Sequence, residues 1–194
     1  MELNKSSYYK ERNWNDFEYY VSNILPEIKI IQTPSFHEYR GSISTLYHSE
    51  YYDKLIPPSE RNYGVSFKHD RYSKSKKGVL RGLHWDDKTW KMVSCIHGNI
   101  YLVVVDVRPY STTWGNWESF ILSPETNIQV LIPPGFANGH YVIEDDSIFY
   151  YKLAYEGEYN DVKDQKTYKW NNKKFNIDWP TDNPILSKRD ENGD

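Results

Sequence analysis

The stretch KMVSCIHGNIYLVVVDV, residues 91–107, consists of two apolar runs with Gly98-Asn99 between them. Both runs are short and rich in β-branched residues, and such runs bounded by turn residues are typical of β-strands. No helical period continues from one run into the other. The stretch therefore predicts two strands separated by a turn.

The same pattern continues on both sides of this stretch. Turn signals divide the runs, among them Pro109, Pro124 and Pro133-Pro134-Gly135. A parallel sheet would need crossover helices, and the runs leave no room for them. We therefore expect an all-β fold, an antiparallel sandwich or barrel of the jelly-roll kind. The further strand candidates are IKIIQT (from 28), SISTLYH (from 42), YGVSFKHD (from 63), GVLRGLHW (from 78), WESFIL (from 117), IQVLI (from 128), HYVI (from 140) and SIFYYKLAY (from 147).

The two ends of the chain have a different character. Residues 14–25 carry apolar side chains at helical spacing and Pro26 ends the segment, so we predict a short helix there. This helix belongs to an N-terminal extension, residues 1–27, ahead of a jelly-roll domain at 28–181 with few further helical turns. The tail DNPILSKRDENGD, residues 182–194, is polar enough to be partly disordered.

Charge and composition restrict the partners. Lysine and arginine total 24 against 27 acidic residues, and a net charge of −3 provides no field that would attract nucleic acid or an anionic membrane. We therefore expect neither partner. The chain also holds 18 Tyr, 7 Trp and 7 Phe, on whose rings a sugar or a nucleobase could stack.

The location of the protein is predicted from its cysteine and its apolar runs. Cys95 is the single cysteine and lies in an apolar run, which suits a buried thiol in a reducing compartment. The first residues lack the apolar core of a signal peptide, and no run approaches the roughly 18 apolar residues of a membrane span. We expect a soluble, cytoplasmic protein.

His84, in GVLRGLHW, decides between an enzyme and a structural domain. It could be a buried structural histidine, a metal ligand or a proton-transfer base. Because side chains alternate along a strand, Arg81 and His84 should lie on opposite faces unless a bulge or twist intervenes. Small metal-binding β-barrels often carry a His-x-His pair, but Trp85 and Asp86 follow His84, which disfavours a metal site.

Two later clusters could complete a site. IPPGFANGHYV, residues 132–142, brings Asn138 and His140 to a strand entrance, which fits a polar pocket as well as an ordinary turn. SIFYYKLAY places Tyr151 inside a strand, with Lys152 beside it as a candidate substrate contact. A tyrosine can transfer a proton if a nearby cation lowers its pKa, although most tyrosines in so Tyr-rich a chain are packing residues.

Taken in order, GVLRGLHW, the block at 91–142, FYYKLAYEGEY and WNNKKFNIDWP resemble the dTDP-4-dehydrorhamnose 3,5-epimerase family over about residues 34–180. The resemblance implies a cupin-type jelly roll, usually a homodimer, that uses no metal or other cofactor and acts on a 4-keto-6-deoxy nucleotide sugar. In such a sugar the carbonyl at carbon 4 acidifies the protons on carbons 3 and 5. A base can therefore remove one proton, and an acid can return it on the opposite face through an enolate.

The resemblance also assigns roles to individual residues. His84 matches the base and Tyr151 the opposing acid. Lys91 matches the position of the cation that steadies the enolate oxygen, where a fixed charge is most effective in a dry site. Arg81 and Arg40, the latter in YRGSIS, match arginines that hold the diphosphate or shape the site.

Departures from the family pattern point to altered substrate contacts. Where the family commonly has Ala-His-Gly-Phe, this chain has Asn138 in place of the histidine and His140 two residues later. His69 and Arg71 stand where many members have Gln and Asn. The added cation at position 71 suggests another nucleotide or sugar.

Asn172 is a third departure. Many members have Trp-Asn-Asp here, whose Asp orients and charges the base histidine, but this chain reads Trp170-Asn171-Asn172. An Asn can orient an imidazole but stabilises imidazolium less well than a carboxylate does. Either another carboxylate supports His84, or the base is weaker and serves one carbon alone.

The combination of GVLRGLHWDDKTWKMV, GFANGHYV and IDWPTDNPILSKRD looks closest to the branch that epimerises GDP-4-keto-6-deoxy-heptoses for bacterial capsule synthesis. The alternatives are a carbon-3 epimerase, a dTDP-4-keto-6-deoxy-hexose 3,5-epimerase, and a nucleotide-sugar binding protein without catalysis. A cupin ketoisomerase is disfavoured by the order Arg-Gly-Leu-His.

Overall fold

The computed structural model describes residues 18–160 and 163–193, and two antiparallel sheets form its core. The six-stranded sheet has the spatial order β1 (Tyr19–Val21), β2 (Lys29–Gln32), β10 (Ile128–Ile132), β7 (Trp90–His97), β12 (Ser147–Tyr155) and β5 (Ser66–Ser75). The five-stranded sheet has the order β13 (Lys166–Thr167), β6 (Leu80–Trp85), β11 (Phe136–Val142), β8 (Ile100–Asp106) and β9 (Trp117–Leu122). The all-β prediction is confirmed.

The remaining elements are short and peripheral. Strands β3 (Ser35–Glu38) and β4 (Gly41–Ser44) pair with each other in a hairpin that joins neither main sheet. The helical elements are α1 (Ser49–Tyr52), a 3-10 turn at Asp53–Leu55, α2 (Pro58–Arg61) and α3 (Lys188–Glu191). Within the described residues no helix is long and apolar enough to cross a membrane.

Strand β8 explains why the run NIYLVVVDV is apolar without alternation. Leu102 and Val104 lie in the core between the two sheets. Val103 and Val105 point to the opposite face, where Trp179 and its neighbours cover the five-stranded sheet. A strand that is buried on both faces loses the polar positions that would otherwise mark its period.

The N-terminal helix prediction is wrong over the part of the segment that the structure describes. Residues 14–17 lie outside the described residues, and β1 (Tyr19–Val21) is a strand that pairs with β2 at the sheet edge. Leu25, within the same segment, is buried in the core between the sheets. Packing against β2 and the core therefore overrides the helical spacing.

The C-terminal tail packs against the five-stranded sheet instead of being disordered. The Ile185 backbone N–H donates to the Gly78 carbonyl at 2.8 Å, and the Leu80 N–H donates to the Ile185 carbonyl at 3.0 Å. Asp190, in α3, is 2% exposed. The tail is thus held beside β6, which carries His84.

Strand β6 departs from strict alternation at Gly82. The register with β11 shifts between the pairs Asn138↔His84 and His140↔Arg81, so β6 and β11 form a bulge there. Leu80 and Leu83 accordingly share the outer, apolar face although they are three residues apart. The bulge turns Arg81 and His84 to the same inner face.

Gly82 and Gly139 make this bulge possible because their backbones lie in close contact. Gly82 has φ +124°, and a Cβ built on it would lie 2.5 Å from the Gly139 Cα and 2.8 Å from the Asn138 carbonyl oxygen. Those atoms belong to the backbone and cannot move aside as a flexible side chain can. A side chain at this position would push β6 away from β11.

We expect Gly82→Ala to lower the free energy of unfolding by about 2–4 kcal/mol, because it combines an unfavourable φ with a clash against backbone. Gly115→Ala is the matched control, since Gly115 also has positive φ (+79°) but no atom within 4 Å of its built Cβ. The control should lose only about 1 kcal/mol. Urea unfolding of both variants measures the difference, and equal losses would show that the close approach is unimportant.

Candidate active site

A cavity of about 450 Å³ opens between the two sheets, within the usual size range of small-molecule sites. Both sheets and the C-terminal tail contribute to its walls. The residues singled out in the sequence that line it are Arg71, Arg81, His84, Lys91, Asn138, His140 and Tyr151. Strands β6 and β11 contribute four of these residues, and the six-stranded sheet contributes Arg71, Lys91 and Tyr151.

His84 is hydrogen-bonded to a carboxylate inside this cavity. Its Nε2 lies 2.6 Å from Asp190 Oδ1. Burial lowers the pKa of His84 from its ordinary 6.5, and the bond to Asp190 only partly opposes this. Because an ionised carboxylate can only accept, Nε2 carries the proton of the neutral ring and donates it to Asp190. Nδ1 is then left with a free lone pair, as a general base requires.

Asp190 is fixed in place by α3. Its Oδ2 accepts a hydrogen bond from the Ser187 hydroxyl at 2.7 Å, and its Oδ1 also accepts from the Gly82 N–H at 3.3 Å. Burial by itself would raise the pKa of Asp190, but its bonds to His84 and Ser187 outweigh that and hold the pKa below its ordinary value. The carboxylate is therefore ionised at neutral pH.

Lys91 reaches the same cavity from the facing sheet. Its Nζ donates to Asn138 Oδ1 at 3.0 Å and to the His84 carbonyl oxygen at 3.3 Å. Burial lowers the pKa of Lys91 to about 8, which the more distant charge of Asp86 only partly opposes. The ammonium is therefore present at neutral pH, and neutral acceptors hold it beside His84.

Tyr151 lines the cavity from β12 in the six-stranded sheet, whereas His84 belongs to the five-stranded sheet. The two side chains thus lie on opposing walls. The Tyr151 hydroxyl has no hydrogen-bond partner among the described residues. Its ring packs against Phe149, with the ring centroids 5.7 Å apart, so the side chain is supported while its hydroxyl is available to a ligand.

Arg71 and His69 lie on β5 with one side chain between them, and only Arg71 lines the cavity. The guanidinium of Arg71 lies 5.8 Å from the ring centroid of Tyr159, and its Nη1 donates to the Tyr159 hydroxyl at 3.5 Å. The His69 ring packs edge-on against the same tyrosine, with centroids 4.8 Å apart. His69 therefore supports the wall formed by Tyr159 instead of lining the cavity itself.

Two further arginines bring positive charge to the cavity. Arg81 lines it, and its guanidinium donates to the Ser75 hydroxyl from both Nε and Nη2, at 3.2 and 3.1 Å. Arg189 also lines it, where Nε donates to Thr167 Oγ1 at 2.8 Å and Nη2 to the Gln165 carbonyl at 3.1 Å. Arginines held this way suit an anionic group such as a diphosphate.

The structure does not bring Lys152 or Arg40 to this cavity. Lys152 follows Tyr151 on β12 and points to the other face, where its Nζ lies 2.5 Å from Asp70 Oδ1 and 4.3 Å from the Tyr47 ring centroid. Strand alternation makes this separation unavoidable. Arg40 is exposed at the β3–β4 hairpin and pairs with Glu38.

Asn172 is not the partner of His84. Its side-chain Oδ1 accepts a hydrogen bond from the Lys174 backbone N–H at 3.0 Å, within a turn after Trp170. The carboxylate at the base histidine comes from Asp190 instead. The choice left open by the sequence is therefore resolved in favour of another carboxylate.

Four polar residues that line the cavity were not predicted from the sequence: Tyr159, Gln165, Arg189 and Asp190. Their segments are polar and carry no period, so nothing local indicates that they pack on the sheet. One signal was present: Ser187 and Asp190 have the S-x-x-D spacing of a helix capping box. The Ser187 hydroxyl accepts a hydrogen bond from the Asp190 backbone N–H at 3.2 Å, so Ser187 caps the N-terminus of α3.

The site can remove and return a proton next to a carbonyl. A neutral histidine with an ionised partner lies on one wall and a phenol on the other, and a buried ammonium is hydrogen-bonded to the backbone carbonyl of that histidine. Among residues 18–160 and 163–193 no group of three or more His, Cys, Asp or Glu side chains is placed to hold a metal ion.

Comparison with known sequences identifies relatives along nearly the whole chain. A model of the family described as dTDP-4-dehydrorhamnose 3,5-epimerase matches residues 22–194, including the tail that carries Asp190. The dTDP-4-dehydrorhamnose 3,5-epimerase of Shigella flexneri is 34% identical over 176 residues, which are 89% of this chain and 93% of that protein.

Solved structures agree with this match. A dTDP-6-deoxy-D-glucose-3,5-epimerase from Legionella pneumophila, in complex with dTDP-4-keto-L-rhamnose, superposes with a TM-score of 0.81 at 31% identity and covers 91% of each chain. A 3'-monoepimerase from Streptomyces bikiniensis, in complex with dTDP-quinovose, gives a TM-score of 0.74 at 25% identity over 87% of this chain and 83% of that one. The expected cupin-type jelly roll is therefore confirmed.

We expect Asp190→Asn to lower the pKa of His84 further, because the variant removes the charge that opposes the effect of burial. Asn172→Ala should leave that pKa unchanged. NMR titration of the imidazole resonances measures both variants without any substrate. A shift in the Asn172 variant, with none in the Asp190 variant, would reverse the assignment of the partner.

Proposed function

The chain belongs to the dTDP-4-dehydrorhamnose 3,5-epimerase family, and we propose that it inverts carbon 3, carbon 5 or both in a nucleotide-linked 4-keto-6-deoxy sugar. The protein is thus an isomerase, and a nucleotide-sugar epimerase like its relatives. The observation that carries the proposal is the His84–Asp190 pair facing Tyr151 across one cavity, whose lining also includes the Lys91 ammonium.

Proton removal falls to His84. The Nε2–H group donates a hydrogen bond to Asp190, so Nδ1 is free to take a proton from the carbon beside the ketone, and the Asp190 carboxylate stabilises the imidazolium that forms. The negative charge then moves to the carbon-4 oxygen. Lys91 is the nearby cation that can stabilise this enolate, and its burial strengthens the interaction.

Proton return falls to Tyr151. Because it stands on the opposite wall from His84, a proton from its hydroxyl reaches the other face of the same carbon. The configuration at that carbon is inverted as a result. Each inversion leaves His84 protonated and Tyr151 deprotonated, so protons must exchange with solvent before the next one.

We propose GDP-4-keto-6-deoxy-heptose, a precursor in capsule biosynthesis, as the substrate. Support comes from the motifs that resemble the GDP-heptose branch and from cavity residues that depart from the wider family, Arg71, Asn138 and His140. The second candidate is a dTDP-4-keto-6-deoxy-hexose, because the Legionella relative was solved with dTDP-4-keto-L-rhamnose.

Inversion at carbon 3 alone is a further candidate, since the Streptomyces neighbour is a 3'-monoepimerase. In the sequence, single-carbon action is suggested by Asn172, which stands where many family members have an Asp. Asp190 supplies that carboxylate, so Asn172 supports neither single-carbon action nor a binding protein without catalysis.

We also propose that the protein is a homodimer in the cytoplasm. Arg40 lies on an exposed hairpin that pairs with neither sheet, and it does not line the cavity of its own chain. If this arginine contacts substrate, it does so in the cavity of a second copy. The buried Cys95 thiol suits a reducing compartment.

We expect the protein in deuterium oxide to label carbon 3, carbon 5 or both of a 4-keto-6-deoxy sugar, with a higher kcat/KM for GDP-linked heptose than for dTDP-linked hexose. His84→Asn should lower exchange by at least about 10²-fold. In Tyr151→Phe, His84 should still exchange the sugar proton for deuterium, but inversion should be impaired because no acid returns a proton on the opposite face. NMR of the sugar protons measures both processes.

The control for these variants is His97→Asn, which changes an exposed histidine on the same β-sandwich. It should behave as the unmodified protein does. Absence of label with every nucleotide sugar, while calorimetry shows binding, would instead support a binding protein. Equal loss of exchange and inversion in Tyr151→Phe would contradict its role as the acid.

The rate should fall at both ends of the pH range. His84 acts as a base only when neutral, and because its pKa is lowered from 6.5, the acid limb should lie below that pH. Lys91 stabilises the enolate only when charged, so the rate should also fall as pH rises through about 8. Lys91→Arg should move the alkaline limb upward, and Lys91→Met should lower kcat by about 10²–10³-fold at neutral pH. A flat profile up to pH 10 would show that the charge of Lys91 is not used.

A further inference from the structure

His140 borders the catalytic cavity as a buried, supported ring. It lies on β11, directly beside the bulge that positions Arg81 and His84, and is 4% exposed. Its imidazole stacks on Phe149, with ring centroids 4.1 Å apart and an interplanar angle of 22°. The stacking fixes the plane of the ring at the cavity wall.

The ring nitrogens of His140 are unpaired. Nε2 is shielded from solvent, and neither nitrogen has a hydrogen-bond partner among residues 18–160 and 163–193. Nδ1 is not shielded in this way, so it is the nitrogen that a ligand in the cavity can reach. Most buried polar atoms in proteins are paired, because an unpaired one costs stability. An aromatic residue without nitrogens could occupy the same stacked position without this cost, so the pattern calls for a partner that the protein does not provide.

The surroundings of His140 decide what kind of partner fits. Burial lowers its pKa to about 3, and the positive charge of Arg81 contributes in the same direction. The ring is therefore neutral, with one N–H donor and one acceptor nitrogen. A diphosphate would instead find cations at Arg81 and Arg189. A neutral hydroxyl, which both donates and accepts, matches the imidazole.

We propose that His140 is a specificity-determining residue that hydrogen-bonds one hydroxyl of the sugar. This inference rests on the proposed nucleotide-sugar function and adds to it the contact that selects the sugar. A site built to pair a hydroxyl discriminates strongly against a substrate that lacks it, because its own polar atoms are then left unpaired.

The test compares His140→Phe with the unmodified protein on the 4-keto sugar and on counterparts lacking the hydroxyl at carbon 2, carbon 3 or carbon 7. The variant keeps the stacking on Phe149 and removes both nitrogens. We expect kcat/KM for the complete sugar to fall at least about tenfold. For one deoxy counterpart the two proteins should have equal kcat/KM. His140→Gln, which retains a donor and an acceptor, should lose less than His140→Phe.

Tyr141→Phe is the matched control, since Tyr141 is the next residue on β11 and packs on the outer face. It should keep the preference of the unmodified protein for the complete sugar, because it leaves His140 in place. The thermal midpoint of the ligand-free His140→Phe protein should rise, because the unpaired nitrogens are gone. An equal loss for all sugars, or no loss for any, would overturn the inference. Deuterium exchange by the unmodified protein decides the proposed function separately, since label can appear whether or not His140 selects the sugar.

Discussion

The hydrogen bond between His84 Nε2 and Asp190 Oδ1 is the interaction on which the rest of the site depends. It joins a strand of the five-stranded sheet to a tail residue that lies 106 positions later in the chain, and it sets which nitrogen of His84 is free to accept a proton. A carboxylate that is 2% exposed needs several donors to remain ionised. The Ser187 hydroxyl and the Gly82 N–H provide them, so the bond also anchors the tail.

Lys91, unlike His84, has only neutral hydrogen-bond partners among the described residues. Among the residues that the structure describes, no carboxylate contacts its Nζ directly; the acceptors are the amide oxygen of Asn138 and the carbonyl of His84. Neutral acceptors satisfy the donors without neutralising the charge, and burial is then free to lower the pKa to about 8. A carboxylate in their place would raise that pKa and compete with an enolate for the cation. The carboxylate beside His84 therefore suits a base that becomes positively charged, and the neutral acceptors around Lys91 suit a cation that must bind an enolate.

The sequence predicted most strands of the two sheets, because strand runs and turn residues are local signals, and it predicted seven of the residues that line the cavity. His84, Lys91 and Tyr151 could be assigned from ordered motifs. Three features could not be predicted from local patterns: β1 forms where the spacing is helical, Gly82 places Arg81 beside His84, and α3 packs a polar tail onto β6. Each depends on pairing with a distant segment. The prediction that Lys152 contacts substrate was wrong although a local pattern excluded it. Side chains alternate along a strand, so Lys152 and Tyr151 lie on opposite faces of β12.

The position of the carboxylate on the tail has a consequence for how the base is assembled. A carboxylate at position 172 would lie in the turn after Trp170. The side chain at that position already accepts a hydrogen bond from the Lys174 backbone N–H. In α3, Ser187 both begins the helix and donates to the carboxylate, so the local structure and the site are stabilised by the same contacts. Arg189, next in the chain to Asp190, then enters the cavity beside the base. The packing of α3 against β6 therefore places both the carboxylate partner of His84 and the Arg189 guanidinium at the cavity.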